Sequence, residues 1–188
     1  SILQEHHLSS VEQLIEKARI AQQVYENYDQ GAVDEVVTAV AWALIEPGRN
    51  RELSQMAVET TGLGKIEDKI LKNERKTLGL LRDLRGAKSV GVISEDEELG
   101  ITEIARPVGV VAAVTPSTNP VATPTNNTLN ALKGRNAIII APSPAGEKVC
   151  SRLLHYFHEE LRRIGAPVDL IQQLPSPVEK IRTLESVS

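Results

Sequence analysis

Aromatic side chains are scarce in this 188-residue chain: they make up 3% of it, with one Trp and one Phe. A protein that stacks nucleic-acid bases on rings needs more of them, so that class is disfavoured. Excess positive charge is missing too. The 21 Lys and Arg residues face 25 Asp and Glu, and the net charge of -4 offers no broad attraction to nucleic acid or to an acidic membrane. Cysteine is reduced to Cys150, which excludes an internal disulfide and fits a reducing compartment. No run approaches the roughly 18 apolar residues that cross a bilayer. The opening SILQEHHLSS lacks the basic and then apolar regions of a signal peptide. A soluble, cytoplasmic protein is expected, with neither nucleic acid nor membrane as partner.

What remains is an ordinary globular composition, 41% hydrophobic and 24% charged, in a length that suits one domain or a compact part of a larger one. Two architectures follow one another. Residues 1–88 read as a helical part. Ser10 with Gln13 has the form of a capping box, and Val11, Leu14, Ile15, Ala18, Ala21, Val24 and Tyr25 recur at three- and four-residue spacing. Beyond Asp29-Gln30-Gly31, a second stripe from Val33 to Leu44 ends at Pro47-Gly48. A third helix carries Leu53, Met56 and Ala57 and stops at Gly62 or Gly64, and a fourth follows from Ile66.

Residues 89–106 change period. Val90–Ile93 and Ile101–Ala105 flank the acidic Ser94–Glu98, which predicts a hairpin. Residues 107–188 then alternate. Val108–Val114, apolar throughout, predicts a strand covered on both faces. A helix runs to Lys133, a buried strand spans Ala137–Ala141, a helix opened by Pro142-Ser-Pro-Ala-Gly146 ends at Gly165, and a third strand spans Val168–Ile171. Strand, helix, strand, helix, strand specifies an α/β fold with a parallel sheet and right-handed crossovers, Rossmann-like in its alternation.

Several features imitate sites. Gly62-Leu63-Gly64 follows a helix and lacks a third glycine, so it reads as a helix-terminating turn. Cys150 falls within a helical stripe and reads as a half-buried structural thiol. His155 and His158 have a spacing that can share a metal, but no acid or thiol pattern completes a site, so they read as surface histidines and no metal is assigned. Glu95–Glu98 suits a solvated hairpin tip. Lys65, Lys69, Lys72, Arg75 and Lys76 make a basic helical face among Glu67, Asp68 and Glu74, expected to face solvent, although a phosphate-bearing ligand or a neighbouring subunit could use it.

The stretch TPSTNPVATPTNN, Thr115 to Asn127, sits at the carboxyl end of a parallel strand, where open α/β sheets bind ligands. Pro116 and Pro120 stiffen the backbone around Ser117, Thr118 and Asn119. A carboxamide held there can donate a hydrogen bond at any pH, as oxyanion stabilisation requires. A helix-capping Asn in a proline-rich turn accounts for the same residues.

The segment RPVGVVAAVTPSTNP, Arg106 to Pro120, resembles the start of the cofactor-binding domain of the aldehyde dehydrogenase superfamily. Within it the T-x-x-N-P turn is similar to that of the CoA-acylating branch. AVETTGLGKIEDKILKN, Ala57 to Asn73, and LKGRNAIIIAPSP, Leu132 to Pro144, agree in order, and the resemblance extends from about Val11 to Pro177. It implies a cysteine thiolate that attacks an aldehyde, NAD or NADP as hydride acceptor, and CoA as co-substrate. Asn119 falls on the oxyanion-holding Asn. Thr115, Pro116 and Ser117 fall on the segment lining the cofactor, and Ala141, Pro142 and Ser143 on the loop beside the adenosine ribose. Ala141 stands where the hydrolytic branch usually has Lys, in keeping with the acylating branch. A small aldehyde substrate is also implied, sulfoacetaldehyde, succinate semialdehyde or a short aliphatic aldehyde, with the residues slightly closer to the first two types, as is a homo-oligomer built through the hairpin and helices. The third strand lies close to Ser188, so the resemblance implies an N-terminal portion without the family's catalytic cysteine and inactive alone. A non-catalytic nucleotide-binding or assembly module of the same half-fold is the rival expectation.

Overall fold

A computed structural model describes residues 2–175, with side chains from Ser10 onward. Four helices come first: α1 (Ile2–Tyr25), α2 (Gln30–Ile45), α3 (Pro47–Thr61) and α4 (Ile66–Leu84). An antiparallel hairpin follows, β1 (Gly91–Asp96) and β2 (Ile101–Ala105). The remainder alternates β3 (Val110–Thr115), α5 (Ala122–Lys133), β4 (Ala137–Pro142), α6 (Glu147–Arg163) and β5 (Ile171–Gln173). The last three strands form one parallel sheet in the order β3-β4-β5. This is the expected mixed α/β architecture.

Local chemistry explains most boundaries. Asp29 caps α2 by accepting from the Ala32 amide at 2.8 Å. Glu46 accepts from Gly48 and Arg49 at the head of α3, which holds its carboxyl below the usual range, with Pro47 in the first turn. Gly62 ends α3 in the left-handed region at φ 68, so the glycine pair is the expected helix-terminating turn. At the hairpin tip Asp96 Oδ1 accepts from the Leu99 amide at 3.0 Å, a turn role for one of the acidic residues.

The core joins the two architectures. Helix α2 packs against α4, α5 and α6, and buries Val33, Val36, Val37, Val40 and Leu44. Helix α6 buries Leu153, Phe157 and Leu161 completely. Such side chains contribute on the order of 1.5–3 kcal/mol each. Strand β4 is central, buried along nearly its whole length, with α1 and α5 both packed on it. Polar ties run between the layers: the Tyr25 hydroxyl donates to the Leu132 carbonyl at 2.7 Å, and Gln22 donates to the Arg135 carbonyl at 3.1 Å. Arg135, buried and at φ 60, donates to the carbonyls of Glu26 at 2.8 Å and Ala105 at 3.0 Å, anchoring the base of the hairpin.

Five expectations are corrected. Ser10 lies inside α1, because residues 2–9 contain no Gly or Pro to stop the helix, so its capping-box form does not mark the start. Val24, placed on the buried stripe, is exposed at the far end of that helix. Strand β1 extends to Asp96, so the hairpin tip is shorter than Ser94–Glu98. Among the described residues the segment Val108–Val114 is not covered on both faces: Val114 is 81% exposed and shares a face with exposed Ala112, and β3 is the outer of the three described strands. Val168–Leu170 is a 3-10 turn, closed by the Leu170 amide on the Pro167 carbonyl, and the strand begins at Ile171. An apolar run alone cannot separate these two states. Among the described residues no helix is long and apolar enough to cross a membrane.

Candidate active site

The parallel register places the two sequence-predicted segments side by side. Val114 stands across from Ala141 and Thr115 across from Pro142, so both chains leave the sheet at the same carboxyl edge. The turn after β3 carries Pro116, Ser117 and Asn119, and the turn after β4 carries Ser143. The turns approach closely: a Cβ on Gly146 would stand 3.2 Å from Pro120 Cβ and 3.2 Å from Ser143 Oγ. Glycine at this position eases a tight approach rather than supplying dihedral freedom, since its φ is -92.

Each side chain in the two turns has a distinct state. Thr115 is 3% exposed, and its buried Oγ1 has no hydrogen-bond partner among the described residues. A buried hydroxyl in that condition at the carboxyl edge of a parallel sheet calls for an explanation, such as a group that brings its own donor or acceptor. Ser143 accepts from the Gly146 amide at 3.2 Å and so shapes the second turn. Ala141 is partly buried and Pro142 buried.

Asn119 is partly buried, and its carboxamide has no hydrogen-bond partner among the described residues. The residue that caps α5 is Val121, with no side-chain cap hydrogen bond. A helix-capping role for Asn119 is thereby set aside.

Asn119 and Pro120 line one side of a small crevice, and Lys69, Lys72 and Asn73 of α4 line the other. These residues of α4 stood apart from the site in the sequence. The signal was the two lysines three residues apart, which put both ammonium groups on one helix face. Asn73 donates to Asn50 Oδ1 at 3.1 Å and to Ser54 Oγ at 3.2 Å, a buried polar cluster that fixes α4 against α3. Burial, and then Lys76, Lys69 and Arg75, hold the Lys72 ammonium below its usual range.

The remaining candidates resolve into structure. Cys150 is fully buried rather than half-buried, and burial, aided by Glu147, pushes its thiol up to about 12. It lies in the first turn of α6. His155 is exposed and pairs with Glu159 at 3.0 Å. His158 is not a simple surface residue, since its Nε2 lies 2.7 Å from the Ile171 carbonyl oxygen and ties α6 to β5. A larger concavity of about 580 Å³ opens beside Trp42 and Arg163. It lies at the end of α6 opposite the Ser143 turn.

The chain matches the aldehyde dehydrogenase family over residues 3–184. It belongs to that family. Over 94% of its length it is 57% identical to a sulfoacetaldehyde dehydrogenase (acylating) of Cupriavidus necator, of which it covers 36%. A succinate-semialdehyde dehydrogenase (acetylating) of Clostridium kluyveri is 41% identical over 89% of the chain, covering 37% of that protein. The chain thus spans little more than a third of these relatives. Among solved structures, an acetylating aldehyde dehydrogenase from Geobacillus thermoglucosidasius is 37% identical at a TM-score of 0.87, covering 96% of this chain and 39% of that one. A propionaldehyde dehydrogenase from Rhodopseudomonas palustris, with bound propionyl-CoA, is 26% identical at a TM-score of 0.75, covering 92% and 38%. An engineered glycolyl-CoA reductase with bound NADP+ is also 26% identical at 0.75, covering 92% and 39%.

Proposed function

We propose that this chain is the N-terminal part of an NAD(P)-dependent, CoA-acylating aldehyde dehydrogenase that oxidises a small anionic aldehyde, sulfoacetaldehyde foremost, to its acyl-CoA. The observation that carries the reading is the unpartnered carboxamide of Asn119 at the carboxyl edge of β3, in a chain 57% identical to an acylating sulfoacetaldehyde dehydrogenase. When a cysteine thiolate from elsewhere in the protein adds to the aldehyde carbon, the carbonyl π pair moves onto oxygen. Asn119 Nδ2 donates to that oxygen without itself ionising. Its stiff proline flanks keep the donor in place before the charge forms.

NAD or NADP, when bound, supplies the hydride acceptor. Thr115, Pro116 and Ser117 line its approach from β3, and Ala141, Pro142 and Ser143 receive its adenosine ribose. The orphaned Thr115 hydroxyl and the glycine-narrowed gap beside Ser143 support that placement. Loss of hydride from the tetrahedral carbon to that acceptor would re-form the carbonyl as a cysteine thioester, and the CoA thiol would then displace the cysteine thiolate to give the acyl-CoA, as the bound propionyl-CoA of the Rhodopseudomonas palustris structure suggests. The hairpin of residues 89–106, with Val92, Ile93, Ile101 and Ile104 exposed, serves as the association element of a homo-oligomer.

The test is a coupled assay of the full-length polypeptide that contains this chain, with sulfoacetaldehyde, CoA and either nicotinamide cofactor. CoA-dependent appearance of reduced cofactor is expected. Its absence with sulfoacetaldehyde, succinate semialdehyde and propionaldehyde alike would refute the reading. The isolated 188-residue chain is expected to turn over none of them.

A further inference from the structure

The crevice beside Asn119 is lined by two lysines that the reaction described so far does not use. Neither Lys69 nor Lys72 has a carboxylate partner among the described residues; Lys17, Lys65, Lys76, Lys88 and Lys148 have none either, but those five are exposed. Both lysines are partly buried, and like charges three residues apart on a helix repel. Lys76 and Arg75 add to that repulsion. Folding gains nothing from two partly buried ammonium groups with no counter-charge, whereas a bound anion relieves both.

Lys69 also has room made for it. Its chain lies over Gly64, at φ +80, with Nζ 3.5 Å and Cε 3.2 Å from the position a Cβ on Gly64 would take. The enclosed part of the crevice is only about 10 Å³. That is no more than the space of one water molecule, so an anion would meet the ammonium groups at the solvent side.

We propose that Lys69 and Lys72 form an anion subsite beside Asn119 that holds the sulfonate or carboxylate of the aldehyde substrate. The inference rests on the acylating reading above. In sulfoacetaldehyde a single methylene separates the carbonyl carbon from sulfur. Whatever holds the sulfonate must therefore adjoin whatever holds the carbonyl oxygen, and these lysines share a crevice with Asn119. The phosphates of CoA present similar oxygens, and the substrate arms of the test separate the two sources.

Lys69→Met, Lys72→Met, the double variant and Lys72→Arg are made in the full-length polypeptide, with exposed Lys17→Ala as a control, and each is checked for folding by circular dichroism. The KM for sulfoacetaldehyde should rise at least about tenfold in each Met variant and recover in Lys72→Arg. The KM for CoA and the kcat/KM for propionaldehyde should stay within about twofold, since neither engages the sulfonate subsite. Calorimetric titration with ethanesulfonate, which has no aldehyde, should show binding to the wild type that the double variant loses. Unchanged sulfoacetaldehyde KM overturns the proposal, as does a rise in CoA KM with both aldehydes, which would assign the lysines to CoA. A wild type inactive on every aldehyde sinks the acylating reading, and the ethanesulfonate titration still decides whether the subsite exists.

Discussion

Asn136 Oδ1 accepts from the amides of Val108 at 2.7 Å and Gly109 at 2.9 Å, joining the approach to β3 to the approach to β4. One carboxamide thereby helps set the register that brings Thr115 opposite Pro142. Replacing Asn136 with Ala should cost about 1–3 kcal/mol, seen as a lower urea midpoint, and Asp should restore most of it because it keeps the acceptor. Gly134 stands close by: a Cβ there would lie 2.7 Å from Asn136 Nδ2. Gly134→Ala should therefore destabilise the wild type more than it destabilises the Asn136→Ala background. Additive losses would break this account.

Tyr25 ties α1 to the end of α5 through its hydroxyl on the Leu132 carbonyl. Burial first, then the neighbouring Tyr28 and Asp34, push its phenol far above the ordinary range, against a smaller opposing pull from Arg135. The folded state favours the neutral phenol, so this contribution is complete below the unfolded pKa of about 10 and is lost as pH rises above it. Tyr25→Phe should cost about 1 kcal/mol at neutral pH and flatten the alkaline limb of the stability curve. An alkaline limb identical in the two proteins would contradict the assignment.

Cys150 should behave as a core residue. Its thiol, pushed up to about 12 mainly by burial, stays protonated in the folded protein. A raised pKa means that this stabilising contribution is present below the unfolded value of about 8.5 and declines as pH climbs towards 12. A disulfide reagent should label Cys150 only in denaturant. Rapid labelling of the native protein would show the packing of α6 to be different.

Asn119 is where the proposed chemistry can be measured most directly. In the full-length polypeptide, Asn119→Ala should lower kcat by about 10²–10³ with little change in cofactor affinity. Asn119→Asp should be at least as damaging, because a carboxylate repels the developing oxyanion. The proposed role fails if activity survives both substitutions with melting temperatures unchanged.

Much of this arrangement was legible in the residues. The stripes of α1 to α3, the stop at Gly62, the hairpin and the strand-helix alternation all depend on local chemistry: side-chain period, caps and turn formers. The TPSTNP turn was placed at a strand end for the same reason. Pattern and structure part where two conformations share one local pattern. Val168–Leu170 is apolar enough for a strand yet closes a 3-10 turn after Pro167. Ser10 has a capping form, but a helix already under way passes through it.

The sequence by itself determined the elements, their order and the neutral, proline-stiffened turn that carries Asn119, because each depends on residues near one another in the chain. Only the tertiary structure decided that Asn119 is not a cap, that Val114 is exposed on the outer of the three described strands, and that Lys69 and Lys72 lie across a crevice from Asn119. Those facts depend on which helix packs beside which strand end, and residues some fifty positions apart carry no periodic trace of meeting.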